Sequence, residues 1–254
     1  GRKNMFYCYG VSEKGNTRKR NEDAFMINRI ILSHSEIEGK AEKPFIVAVA
    51  DGVGGENNGE KASKLSLQLL SNIKYSSKTN LKKKISDIHK NILAYGMDHE
   101  DSLNMQTTLC ALAVDENGGA TLINIGDSKM HKFSGGNLTQ ISKDQTLVQL
   151  LIDLGEITPM QAKTHAQKHV IISSLGNVEQ EPQPQIEKIG IINSDDMILI
   201  STDGLSDYLS DDDIKGVLKK NIPHIKKLKE LVSIAMKNGS KDNLTAVLVT
   251  GKEK

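Results

Sequence analysis

Cysteine is scarce in this 254-residue chain: Cys8 and Cys110 are the only two. A pair that small cannot supply a disulfide framework, and it fits a reducing compartment. Long apolar runs are missing as well, and none approaches the roughly 18 residues that a membrane-crossing helix needs. The opening GRKNMFYCYG lacks the apolar core of a secretion signal, so a cytoplasmic, soluble protein is expected. Residues 1–4 read either as a cloning leader or as the edge of a longer chain. Charge of one sign is lacking too: 33 Lys and Arg stand against 32 Asp and Glu, which leaves no strong field to recruit nucleic acid or an anionic membrane. The Lys-rich stretch IKKLKELV (residues 225–232) reads as a solvated helix face. No internal repeat or low-complexity linker divides the chain, and 37% hydrophobic content suffices for one large core, so residues 1–254 are taken as one domain.

What is present is a set of short strand patterns in clusters. Residues 6–11, 24–30 and 45–50 read as strands, and a helical stripe of Ala62, Leu65, Leu69, Leu70 and Ile73 follows GGENNGE. A second stripe runs through Leu81, Ile85, Ile88 and Ile92. Strands are expected near 107–114, 120–125 and 129–133, then near 185–192, 197–201 and 244–249, with helices at 212–220 and 225–237. Residues 141–176 differ: Leu147, Leu150, Leu151 and Leu154 have helical spacing, and Pro159 opens a second helix at TPMQAKTHAQ. This segment reads as a helical insertion on the main sheet. Strand clusters separated by helix pairs favour a sandwich covered by helices over a doubly wound parallel sheet.

Three apolar strands end in acid: FIVAVADG at Asp51, TLINIGDS at Asp127 and MILISTDG at Asp203. A fourth acid, Asp242, precedes the last strand in GSKDNLTAVLV. Any one Asp-Gly is an ordinary turn. As a set, carboxylates beside buried strands would repel one another and resist ionisation unless a cation neutralised them. Oxygen ligands without thiolates favour Mg²⁺ or Mn²⁺. His165 and His169 are four residues apart, but Ala166 stands where a zinc-protease motif needs Glu, so they read as helix-surface histidines. Asp211–Asp213 reads as charge at a helix N-terminus, not as an EF-hand loop. Two hard cations about 3.5–4 Å apart can lower the pKa of a shared water and aim it at phosphorus. A phosphate also suits the planar fork of an arginine, and Arg18 and Arg20 lie in GNTRKRNED (residues 15–23) with Glu22 and Asp23.

In order, GxxRxxNED (residues 15–23), ADGVGGENNGEKAS (50–63), TTLCALAV (107–114), IGDSK (125–129), STDGLSD (201–207) and GSKDNLTAVLV (239–249) resemble the PP2C-type metal-dependent serine/threonine protein phosphatases, most closely their bacterial branch. The resemblance implies an α+β fold, a four-layer α-β-β-α sandwich of two mainly antiparallel sheets, with a flap at about residues 141–176. It implies two Mn²⁺ or Mg²⁺ ions and a hydroxide between them that attacks the phosphate directly. Asp51 matches the bridging carboxylate, Gly52 a carbonyl ligand of the second ion, Glu22 the acid supporting that ion, and Asp203 and Asp242 the ligands of the first. Arg18 matches the phosphate-binding arginine, while Arg20 matches no role and reads as a surface cation. Asp23 and Asn243 match supporting positions, and Asp127 and Asp207 match the holders of a third, weaker ion. Phosphorylated proteins, substrates of a serine/threonine kinase, are the implied partners of a monomeric enzyme.

The chain departs from the family pattern at several places. Val53 and Glu56 stand where bacterial relatives commonly carry DGMGGH, so a histidine proposed as general acid is missing. Lys129 replaces the arginine of GDSR, and Asp144-Gln145-Thr146 replaces DHS, which makes Glu56 and Lys129 candidates on the substrate side. Other phosphatase chemistries fail: C-x5-R meets Lys14 after Cys8 and Glu116 after Cys110, and Asn16 occupies the lysine position of a P-loop. The missing histidine leaves one alternative open, a phosphatase-like binding or sensor module with little turnover.

Overall fold

The computed structural model describes residues 5–54 and 58–253; residues 1–4 and Glu56, and with them two of the expectations above, lie outside it. Along the chain the first strands are β1 (Met5–Glu13), β2 (Asp23–Ile27), β3 (Ile30–Leu32), β4 (Ser35–Glu42) and β5 (Phe45–Val53). Helices α1 (Asn58–Ser71) and α2 (Leu81–Asp98) precede β6 (Gln106–Thr107), β7 (Leu109–Val114), β8 (Gly119–Ile125), β9 (Lys129–Ser134) and β10 (Asn137–Gln140). Short helices α3 (Leu147–Asp153) and α4 (Pro159–Lys163) lead to β11 (Gln185–Ile191) and β12 (Met197–Ser201). The chain closes with α5 (Asp203–Ser206), α6 (Asp211–Leu218), α7 (His224–Lys237) and β13 (Leu244–Thr250).

Two sheets result, with strand orders β10-β9-β12-β13-β1-β4 and β11-β8-β7-β5-β2-β3, and β6 pairs with β5. Every pairing among the described strands is antiparallel. Alternation along the strands sends one set of side chains between the sheets, where Phe25, Val47, Val49, Leu112, Ile198, Val247 and Val249 are buried together. The opposite faces are covered by helices. Met26, Ala48, Ala111 and Ile123 meet α1 and α2 through Leu67, Leu70, Ile85 and Ile92. Tyr9, Leu199, Ala246 and Leu248 meet α6 and α7 through Ile214, Leu218, Leu228 and Leu231. This is the four-layer α-β-β-α order expected. No helix among the described residues is long and apolar enough to cross a membrane.

Three local features differ from the sequence reading. Strands β4 and β10 carry polar sequences, SEIEGKAE and NLTQ, because each is an edge strand facing water on most sides. Lys227, read as part of a solvated face, is 1% exposed. Its ammonium donates to the carbonyl of Leu218 at 2.7 Å, so a cation closes the C-terminal end of α6. His165 and His169 are not on a helix, since α4 stops at Lys163. At one end of the sandwich, Phe6 of β1 and Phe45 of β5 join the two sheets with ring centroids 5.2 Å apart. The other end carries the acids.

Candidate active site

At that acidic end, residues from both sheets line a cleft of 540 Å³. Arg18, Glu22, Asp51, Gly52, Asp203, Asp207 and Asp242 are all on its wall, joined by Tyr208, Lys241 and His169. The placement follows from strand register. Asp23 and Asp51 are direct partners across β2 and β5, and Thr202 at the end of β12 lies opposite β13. Backbone bonds fix Asp51 independently of its carboxylate: its N–H donates to Thr108 Oγ1 at 3.0 Å, and its carbonyl accepts from the Thr108 N–H at 2.9 Å. The Gly52 N–H donates to the Glu22 carbonyl at 3.1 Å, which keeps Glu22 beside Asp51.

Two glycines let the backbone close in. A β-carbon on Gly52 would lie 1.8 Å from the Gly59 carbonyl oxygen. One on Gly59 would lie 2.6 Å from the Glu22 carboxylate and 2.7 Å from the Gly52 carbonyl oxygen. The first turn of α1 therefore rests against the expected ligands only because both positions lack side chains. Asn243 ties the remaining loop down. Its amide donates to the carbonyls of Lys14 and Arg20, both at 2.9 Å, and its Oδ1 accepts from the Glu22 N–H at 2.9 Å. Asn243→Ala is expected to cost about 2–3 kcal/mol, since one buried side chain satisfies three backbone groups. Thermal unfolding checks the stability loss, and a looser Arg18–Glu22 segment would follow from it.

The electrostatics of the cleft are unfavourable without a cation. Burial, reinforced by neighbouring acids, holds the carboxyls of Asp51 and Asp127 well above the usual range. Burial and Asp207 raise Asp203, and burial raises Glu22. Asp23, 1% exposed, is pushed up to about 7 by burial although Thr202 donates to it at 2.8 Å. Two oxygens, Oδ1 of Asp127 and Oδ1 of Asp203, are buried with no hydrogen-bond partner. Acceptor-only oxygens crowded in this way fit hard divalent cations, which would relieve both the repulsion and the orphaned lone pairs. Arg18 contributes the positive counterpart, pairing with Asp242 at 2.9 Å while half exposed to the cleft.

Not every expected residue faces the same space. Asp127 and Lys129 border an adjoining hollow, and the Lys129 ammonium bridges Asp207 at 3.0 Å and Asp144 at 3.1 Å. Reading the sequence missed His169. Its ring lies 4.0 Å from Asp207, and one ligand atom each of His169, Asp203 and Asp207 falls within 4.8 Å of the others. Thr108 and Thr202, which position Asp51 and Asp23, also went unseen, because nothing distinguishes a positioning threonine from an ordinary strand residue. Tyr208 follows Asp207 in the STDGLSD motif, and that adjacency was the one signal available for it.

Two facing antiparallel sheets with a carboxylate cluster at one end, covered by helix pairs, define a metallophosphatase type of sandwich. The chain belongs to the protein phosphatase 2C family, whose model matches residues 20–249. It is 30% identical over 247 residues to the serine/threonine phosphatase stp of Listeria monocytogenes, covering 94% of this chain and 93% of that protein. The crystal structure of the Mycobacterium tuberculosis serine/threonine phosphatase PstP/Ppp superposes with a TM-score of 0.82 at 30% identity, over 97% of this chain and 98% of that one. The PstP catalytic domain in complex with two manganese ions superposes with a TM-score of 0.78 at 30% identity, over 97% of this chain and 98% of that one.

Proposed function

We propose that the chain hydrolyses phosphoserine and phosphothreonine on proteins, with the phosphate seated over the carboxylates at the open end of the sandwich. The observation carrying this reading is the convergence of Asp51, Asp203, Asp242 and Glu22 with Arg18 in one cleft, where burial and mutual repulsion leave the acids in want of cations. Asp51 would hold both cations, the Gly52 carbonyl and Glu22 would serve one of them, and Asp203 and Asp242 would hold the other. Bound there, two Mn²⁺ or Mg²⁺ ions would supply a water acidified enough to attack phosphorus at neutral pH and would neutralise charge on the phosphate. Asp23 and Asn243 hold this set from behind through Thr202 and the Glu22 backbone. Asp127 and Asp207 are our candidates for a third, weaker cation, with His169 at its edge.

Arg18 turns its guanidinium from Asp242 to the phosphate as substrate enters. Its half-exposed position suits a group that grips ground state and transition state alike. The counterpart in the cell is a serine/threonine kinase acting on the same proteins, and the two buried, unpaired cysteines suit a reducing compartment.

Turnover of p-nitrophenyl phosphate and of a phosphothreonine peptide, titrated with Mn²⁺, tests the reading. Activity should appear with Mn²⁺ and vanish in excess EDTA. Arg18→Ala should raise KM about tenfold, the worth of a charge-assisted hydrogen bond, with a smaller change in kcat. Full activity in chelator would overturn the metal-dependent reading, and cation binding without turnover on either substrate would favour a sensor instead.

A further inference from the structure

Helix α2 buries Leu81, Ile85, Ile88 and Ile92, and with them one polar side chain, His89, which is 2% exposed. A leucine there would be buried with less loss, since an imidazole surrenders its hydration on leaving water. The ring answers to a backbone donor. Gly176, itself buried, gives its N–H to His89 Nδ1 at 3.1 Å. The chain turns hard against α2 at that point, with φ of +84° at Gly176. A β-carbon there would lie 2.3 Å from the Met105 carbonyl oxygen and 2.8 Å from Ile92. Burial lowers the pKa of His89, which keeps Nδ1 unprotonated and accepting at neutral pH.

From Gly176 the contacts run back to the acidic cleft. The neighbouring Leu175 exchanges both backbone bonds with Thr107 of β6, at 3.1 and 2.9 Å. Ser174 Oγ donates to Gln106 Oε1 at 2.7 Å, so residues 174–176 are stitched to both residues of β6. On its other side β6 meets β5. Gly52 stands opposite Thr107, and Thr107 Oγ1 donates to the Asp51 carbonyl at 3.1 Å, beside the bond from the Thr108 N–H. The peptide joining Asp51 to Gly52 is held on one edge by the Glu22 carbonyl and on the other by this short strand. That second edge is only as steady as residues 174–176, and their last backbone donor ends on His89.

We infer that His89 is a positioning residue for the cation site: its grip on Gly176 keeps residues 174–176 against β6, and β6 keeps the Asp51–Gly52 peptide set so that the Asp51 carboxylate and the Gly52 carbonyl converge. The inference rests on the reading of those two groups as cation holders. His89 touches neither substrate nor cation, and what it transmits is backbone placement. Loosening it therefore weakens cation binding and leaves the chemical step of the filled site alone.

The test compares three proteins freed of divalent cations. They are the unaltered chain, His89→Leu, which fills the ring's place without an acceptor, and His89→Asn, whose Oδ1 stands where Nδ1 stood. In calorimetric titration with Mn²⁺, His89→Leu should raise the dissociation constant about fivefold, below the tenfold or more typical of a group bonded directly to a metal ligand. Turnover of p-nitrophenyl phosphate at saturating Mn²⁺ should keep its kcat, while the Mn²⁺ needed for half the maximal rate rises by the same factor. His89→Asn should restore tight binding even where its melting temperature falls, which separates placement from stability. Backbone amide exchange at Leu175 and Gly176 should quicken in the leucine variant and not in the asparagine one. Unchanged Mn²⁺ affinity in His89→Leu, or equal weakening in both variants, would overturn the inference. If His89→Leu does not fold, His89→Gln, whose amide oxygen lies one bond beyond the place of Nδ1, takes its part in the same comparison. An unaltered protein that takes up no Mn²⁺ would instead overturn the cation reading beneath it.

Discussion

Asp51→Asn is expected to lower Mn²⁺-dependent turnover at least about a thousandfold while raising the melting temperature of the metal-free protein. The two effects share one cause. The Asp51 carboxylate is held among Asp23, Asp203 and Asp127, and burial keeps it from ionising comfortably. An amide of the same shape removes that repulsion but bridges cations poorly, because it offers one neutral oxygen. The fold should tolerate the change, since Thr108 holds the backbone of Asp51 from both directions. Steady-state rates with Mn²⁺ and calorimetry in chelator read the two arms. A variant that is inactive because it is unfolded, or one that keeps wild-type rates, would contradict the role given to Asp51.

The second large effect concerns pH. Stripped of divalent cations, the protein should lose stability as pH rises from about 4 to about 7, and Mn²⁺ should restore it. An unfolded aspartate ionises near 3.9. Below that value both states are protonated and the native state keeps its full advantage. Above it the unfolded chain releases protons that Asp23 retains up to about 7, and Asp51, Asp127 and Asp203 are shifted in the same direction. Unfolding therefore gains ground at about 1.4 kcal/mol per pH unit for each such group, until pH passes the folded pKa. The sum should reach several kcal/mol, on the order of 10 °C in melting temperature. Mn²⁺ at about a hundred times its dissociation constant adds back about 2.7 kcal/mol per site. Calorimetry at pH 5 and 7.5, with chelator and then with Mn²⁺, gives the comparison. A profile that stays flat in chelator would mean that these carboxylates are not desolvated as described.

The strands that carry the acids were legible because each is an apolar run that stops at a carboxylate, and a core strand has no other reason to end that way three times. The same logic located α1, α2, α6 and α7, whose apolar stripes recur at helical spacing. Edge strands β4 and β10 were not legible: β4 alternates, but its inward positions Ile37, Gly39 and Ala41 are too small and too few among charged residues to stand out, and β10 offers only Leu138. Lys227 and His169 escaped for a tertiary reason. The first is buried because the last carbonyl of α6 happens to lie within reach of its ammonium. The second reaches the cleft because α4 ends early and the chain folds back over Asp207. Neither event leaves a mark in local composition.

The sandwich has unlike ends. Phe6 and Phe45 close one with rings in contact, an attachment that needs nothing from solution. At the other, Glu22 and Asp23 face Asp203 and Asp242, and their repulsion works against the hydrogen bonds that Thr202 and Asn243 make across the two sheets. Dissolved cation should therefore tighten that end, while the aromatic end is held without it. Local opening there should follow cation concentration, so that backbone amide exchange at Asp51 and Gly52 becomes a gauge of how much Mn²⁺ or Mg²⁺ surrounds the molecule.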